Sequence, residues 1–122
     1  FLRHIERCRV LIYLLDMTPE VEPSPIKAFR ILHEELERHN PELSERRTLV
    51  ALTKMDTAPD AARVSEVREH FAKMDLPVFT ISSVTGEGLD ALLFATKEEL
   101  ARAREQAQAE EQEARDTNLI HE

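Results

Sequence analysis

The sequence predicts an α/β fold, a parallel three-stranded half-sheet flanked by helices and closed by a long C-terminal helix. Three short, continuous apolar runs with β-branched residues recur along the chain, and each is followed by turn residues and then by a helical apolar stripe. Runs of this kind suit strands buried on both faces, and their alternation with helices implies right-handed crossovers between parallel strands. A third observation bears on function: polar side chains stand directly after each run.

Phe1 to Arg9 predict a short lead-in helix. The first strand is expected over Val10–Leu15, ending at Asp16. Ser24 and Pro25 form an N-cap and first-turn pair, and Ile26, Phe29, Leu32 and Leu36 recur at helical spacing until Asn40-Pro41 stops the helix. The second run, Thr48–Leu52, ends at Thr53. Asp60 is a plausible cap for a helix whose stripe is Val64, Val67, Phe71 and Met74. The third run is Pro77–Ile81, ending at Ser82. The last helix starts near Gly88 and is expected to turn Leu89, Leu92, Leu93 and Leu100 inward, with Thr96 interrupting the stripe without shifting its phase. Beyond Ala101 the chain is rich in Ala, Glu and Gln, with no large apolar side chain until Leu119-Ile120. That composition favours helix but offers little to bury. The expected organisation is therefore a domain over 1–100 and, over 101–122, an extension of the last helix passing into a tail or linker.

Composition narrows the functional classes. The 122 residues carry a formal charge of −8, which argues against non-specific binding to nucleic acid or membrane surfaces. One cysteine, Cys8, excludes an internal disulfide framework, fits a reducing compartment, and reads as packed rather than reactive. No apolar stretch approaches the roughly 20 residues of a membrane span, and the N-terminal residues do not read as a signal peptide. The chain begins at Phe1, within a charged, helix-like segment, and reads as part of something longer.

In a parallel sheet Asp16, the Thr53–Asp56 cluster and the Ser82–Thr85 cluster all fall on the carboxyl edge, where open α/β folds bind ligands. Thr53-Lys54-Met55-Asp56 matches [NT]-K-x-D, the guanine-recognition motif of GTPases. A carboxylate suits that task because it accepts two parallel, charge-assisted hydrogen bonds from the ring N–H and exocyclic amino group of guanine. Adenine lacks that donor pair. Lys54 can lay its aliphatic stem over one face of the base. Chance alone supplies such a tetrapeptide in about one chain in twenty-five of this length, so the second loop decides. Ser82-Ser83-Val84 resembles the S-A-x motif of GTPases, where a loop N–H donates to guanine O6, and the Ser82 hydroxyl can hold the Asp56 carboxylate. Candidate nucleotide-binding residues are Thr53, Lys54, Asp56, Ser82, Ser83 and Val84; none is assigned to catalysis or to a metal.

The segments Phe1–Arg7, Thr53–Asp56 and Val84–Asp90 together resemble the Obg family of bacterial GTPases over roughly residues 1–100. The resemblance implies the second half of a P-loop-type G domain, binding of GTP or GDP, GTP hydrolysis by the intact protein, a cytoplasmic location and association with assembly of the large ribosomal subunit. It also implies Mg²⁺ in the intact protein, held by ligands outside this chain. Thr53 departs from the asparagine more usual in the family: it keeps a hydroxyl but loses an amide donor. The chain holds two glycines, Gly86 and Gly88, so these 122 residues contain no G-x-x-x-x-G-K-[ST] phosphate loop, and no D-x-x-G segment is present.

Other readings carry less. Asp16 at a strand end invites comparison with receiver domains, but Lys54 precedes Ser82 and the acidic pair near the first strand is missing. His33 and Glu37 lie four apart on a helix without a third ligand at a recognisable spacing, and His33 reads as an exposed or partly packed helical histidine. The rival function is a non-catalytic interaction module that keeps the half-fold and works through its acidic, alanine-rich C-terminal helix. An unpaired apolar edge at the first strand further implies self-association of the isolated chain.

Overall fold

A computed structural model describes residues 9–121, with the backbone alone over 119–121. Three strands, β1 (Val10–Asp16), β2 (Arg47–Thr53) and β3 (Val78–Thr80), form a parallel sheet in the order β1-β2-β3. They alternate with helices α1 (Pro25–His39), α2 (Pro41–Ser44), α3 (Ala61–Ala72) and α4 (Leu89–His121), and a 3₁₀ turn spans Met55–Thr57. The expected lead-in helix and Cys8 lie outside the described residues, apart from Arg9, which sits in a bend.

The central strand is buried on both faces: Leu49, Val50, Ala51 and Leu52 are each no more than 1% exposed. On one face Val50 and Leu52 join Tyr13 and Leu15 of β1, Met17, Phe29 of α1, and Val67 and Phe71 of α3 in one core. The Phe29 ring lies 4.5 Å from Tyr13 and 4.9 Å from Phe71, the second contact edge-on. α4 contacts β1 and β2. The strand period of two places Leu49 and Ala51 on the face away from that core. There Arg47 of β2 pairs with Glu99 of α4 at 3.1 Å.

β3 is shorter than its apolar run, yet the residues flanking it on both sides still bond to β2. Val50 N–H donates to Pro77 O at 2.9 Å, and Ile81 N–H donates to Leu52 O at 2.8 Å. Asp60 caps α3 by accepting from Ala62 N–H. Ser24 is the N-cap residue of α1 and Pro25 fills its first position; the Ser24 carbonyl accepts the first helical bond from Ala28 N–H, but its side chain makes no cap bond. Asn40-Pro41 ends α1 and also begins the one-turn helix α2, which the sequence reading lacked.

Four side chains expected inward are exposed. Leu32 is 46% exposed because α1 is turned so that His33 stacks on Phe29, rings 5.6 Å apart and nearly parallel. Met74, 45% exposed, lies past the end of α3. Leu93 of α4 is 54% exposed, and Leu89 at 38% is little better covered. Leu92, Thr96 and Leu100 of the expected stripe are half-buried, and Glu99 and Ala103 join them, so the stripe is covered along only one side. Thr96 lies on that side and returns its hydroxyl proton to Leu92 O at 2.7 Å. Among the described residues, no helix is long and apolar enough to cross a membrane.

Candidate functional site

The register sets Asp16 beside Thr53 and Leu52 beside Thr80, so the three strands deliver their C-terminal residues to one edge. The loop after β2 is tied to both neighbours. Toward β1, Met17 N–H donates to Thr53 O at 3.1 Å and the Thr53 hydroxyl donates to Leu15 O at 3.3 Å. Toward β3, Met55 N–H donates to Ile81 O at 3.1 Å. Between these ties Lys54 takes a left-handed conformation, φ 61° and ψ 37°, which a non-glycine residue adopts only when its surroundings impose it. The turn closes with Thr57, whose N–H and hydroxyl both donate to Lys54 O.

Asp56 is exposed in the 3₁₀ turn, and its carboxylate is held from one side. The Ser82 hydroxyl donates to Asp56 Oδ1 at 2.9 Å and accepts from Thr85 N–H at 3.1 Å. Ser82 is fully buried, and these two bonds satisfy its hydroxyl. Its backbone is held as well, with Ser82 N–H donating to Glu87 O and Gly86 N–H donating to Ser82 O. Asp56 Oδ2 and the second lone pair of Oδ1 remain for another donor pair.

The loop is compact because of its glycines. Gly86 and Gly88 have φ of +82° and +77°, and a Cβ on Gly88 would lie 2.0 Å from Thr80 O. Gly88 thereby lets α4 begin directly against the end of β3. Ser83 and Val84 stand exposed at the outer turn, and among the described residues their N–H groups have no acceptor. All six candidate residues thus meet at one edge, with Asp56 and Ser82 in direct contact.

Asp16 joins them; the sequence reading placed it on this edge without counting it among the nucleotide-binding residues. Its Oδ2 accepts from Lys54 Nζ at 2.7 Å and its Oδ1 from Thr18 N–H at 2.8 Å. The Lys54 bond, then those from Thr18, hold the Asp16 carboxyl at about 2 against an ordinary 3.8, and Asp16 in turn raises the Lys54 pKa. The available signal was an acid closing one strand and a lysine following the next on the same edge. His33, by contrast, is a packed residue in contact with Tyr13 at 3.2 Å and Glu37 at 3.0 Å, remote in sequence and element from this edge.

The fold defines the class of protein first. The crystal structure of Era from Aquifex aeolicus bound to GDP·AlF₄⁻ superposes with a TM-score of 0.55 at 21% identity, over 77% of this chain and 30% of that one. The chain shares the α/β fold of part of that protein.

Sequence comparison then supplies the family. GTPase Obg from Solibacter usitatus is 46% identical over 95 residues, 78% of this chain and 28% of that protein. GTPase Obg from Syntrophotalea carbinolica is 40% identical over 104 residues, 85% of this chain and 29% of that protein. No family model matches the chain. The chain belongs to the Obg family of GTPases and spans less than a third of the length of these relatives. Their kinship disfavours the interaction-module reading.

A carboxyl with a lowered folded pKa contributes stability that is present above its unfolded pKa. For Asp16 that contribution is complete above about pH 4 and is lost as pH falls through about 2. Carboxyl ¹³C NMR is expected to give an Asp16 midpoint near 2, and Lys54→Met to move it up toward 3.8.

Proposed function

We propose that this chain is the guanine-recognition portion of a GTP-binding, GTP-hydrolysing protein. Asp56 accepts from guanine N1–H and the 2-amino group, Lys54 lays its stem on the base, and the N–H groups of Ser83 and Val84 face O6. Thr53 ties the recognition loop to β1. The single observation that carries this reading is the Ser82–Asp56 contact at 2.9 Å, which leaves a preorganised carboxylate open on the carboxyl edge of a parallel sheet. Kinship with proteins named GTPase Obg supports it.

Hydrolysis would depend on a phosphate loop and switch residues outside these 122 positions. Mg²⁺ would accompany the phosphates there. Among the described residues no three His, Cys, Asp or Glu side chains cluster as a candidate metal site. A cytoplasmic location and a role with the large ribosomal subunit follow from the family resemblance and belong to this proposal.

In a protein that carries this chain together with a phosphate-binding half, Asp56→Asn should weaken GDP binding roughly 10²-fold or more. That is the loss of two bonds to a charged group at about 1.5–3 kcal/mol each. Affinity for xanthosine diphosphate, whose 2-oxo group needs a donor, should rise. Equilibrium titration with fluorescent nucleotides measures both, and unchanged GDP affinity would overturn the assignment.

The 122-residue chain by itself is also proposed to self-associate. β1 is an outer strand seven residues long, with Ile12 38% and Leu14 61% exposed on the α4 side. An open apolar edge of this kind invites strand addition. Sedimentation velocity should show dimers or larger species as concentration rises; a monomer throughout contradicts this.

A further inference from the structure

Resting on the guanine-site reading, we infer that Asp16 is a positioning residue that sets the stem of Lys54 for base stacking before nucleotide arrives. A lysine has four rotatable side-chain bonds, and immobilising such a chain on binding costs affinity. Here both of its ends are already fixed. The backbone end is set by the left-handed turn at Lys54, held by the bonds from Met17 N–H to Thr53 O and from Thr57 N–H to Lys54 O. The ammonium end is set by Asp16 Oδ2 at 2.7 Å.

Asp16 can act as an anchor because it is anchored itself. It closes β1 opposite Thr53, and its other oxygen is occupied by Thr18 N–H. The direction matters as much as the distance. Asp16 lies on the β1 side of β2, whereas Asp56 is drawn by Ser82 toward the β3 side. The lysine stem therefore crosses from β2 toward β1 and away from the Asp56 carboxylate. A planar base can meet the carboxylate at its edge and the stem on its face.

Stability does not explain the pair. Lys54 and Asp16 side chains are 58% and 34% exposed, and exposed ion pairs contribute little to folding. What the contact does supply is a fixed position for a long, solvated side chain beside a recognition loop.

The test is Asp16→Asn in the full-length protein. The amide oxygen of asparagine can keep the Thr18 bond while the charge that holds Lys54 is lost. GDP should bind roughly three- to tenfold more weakly, with the preference for GDP over xanthosine diphosphate unchanged because Asp56 and Ser82 are untouched. NMR of the Lys54 side chain without nucleotide should show a lowered ammonium pKa and faster motion, which a merely structural role would not produce. If wild type binds GDP and Asp16→Asn binds it equally well, or if Lys54 is unaltered in the variant, the positioning role is overturned and the guanine site stands. If wild type itself shows no preference for GDP, both readings are overturned.

Discussion

A single hydroxyl, that of Ser82, links the loops after β2 and β3 on the carboxyl edge. It is fully buried, and a buried hydroxyl without partners carries a penalty of about 1–3 kcal/mol. Its bond to Asp56 and the bond it receives from Thr85 N–H meet that demand. The same two bonds fold the loop after β3 and orient the carboxylate that follows β2. Orientation of the acid is thus a by-product of satisfying a core polar group, which makes it stiff. Gly88 completes the arrangement by allowing the start of α4 to press against Thr80 O.

The rest of the edge follows from β2 being the central strand. Its four inner residues are buried on both faces, so its end is held rigidly between β1 and β3. Backbone bonds to Thr53 on one side and from Met55 on the other stretch the intervening Lys54 into its left-handed turn. The local strain is small beside the packing that imposes it. The result is a lysine and an aspartate two residues apart that serve opposite flanks, one tied to Asp16 and the other to Ser82.

Much of this was legible in the sequence because it rests on short-range signals. Continuous apolar runs marked the strands, and turn residues directly after them marked the edge. Asp60 and the Asn40-Pro41 stop needed only local chemistry. The orientation of helices against the sheet was not legible. Leu32 loses its expected place to His33 because an aromatic stack with Phe29 sets the rotation of α1. Leu89 and Leu93 are exposed while Leu92 and Leu100 keep partial cover, and Glu99 beside them pairs with Arg47. Asp16 was placed on the edge, but its pairing with Lys54 was not legible for a related reason: the two are 38 positions apart and only the parallel register brings them together. Thr53, by contrast, has a use for the hydroxyl that distinguishes it from asparagine, a bond to the β1 carbonyl of Leu15.

The most direct measurement uses unaltered protein and an altered base. Hypoxanthine keeps the ring N–H and O6 of guanine but lacks the 2-amino group, so inosine diphosphate offers the Asp56 carboxylate one donor instead of two. Competitive titration of the full-length protein with GDP and IDP should show IDP weaker by roughly 10- to 100-fold, the loss of one hydrogen bond to a charged acceptor. Equal affinity for the two would mean that the carboxylate held by Ser82 does not read the base.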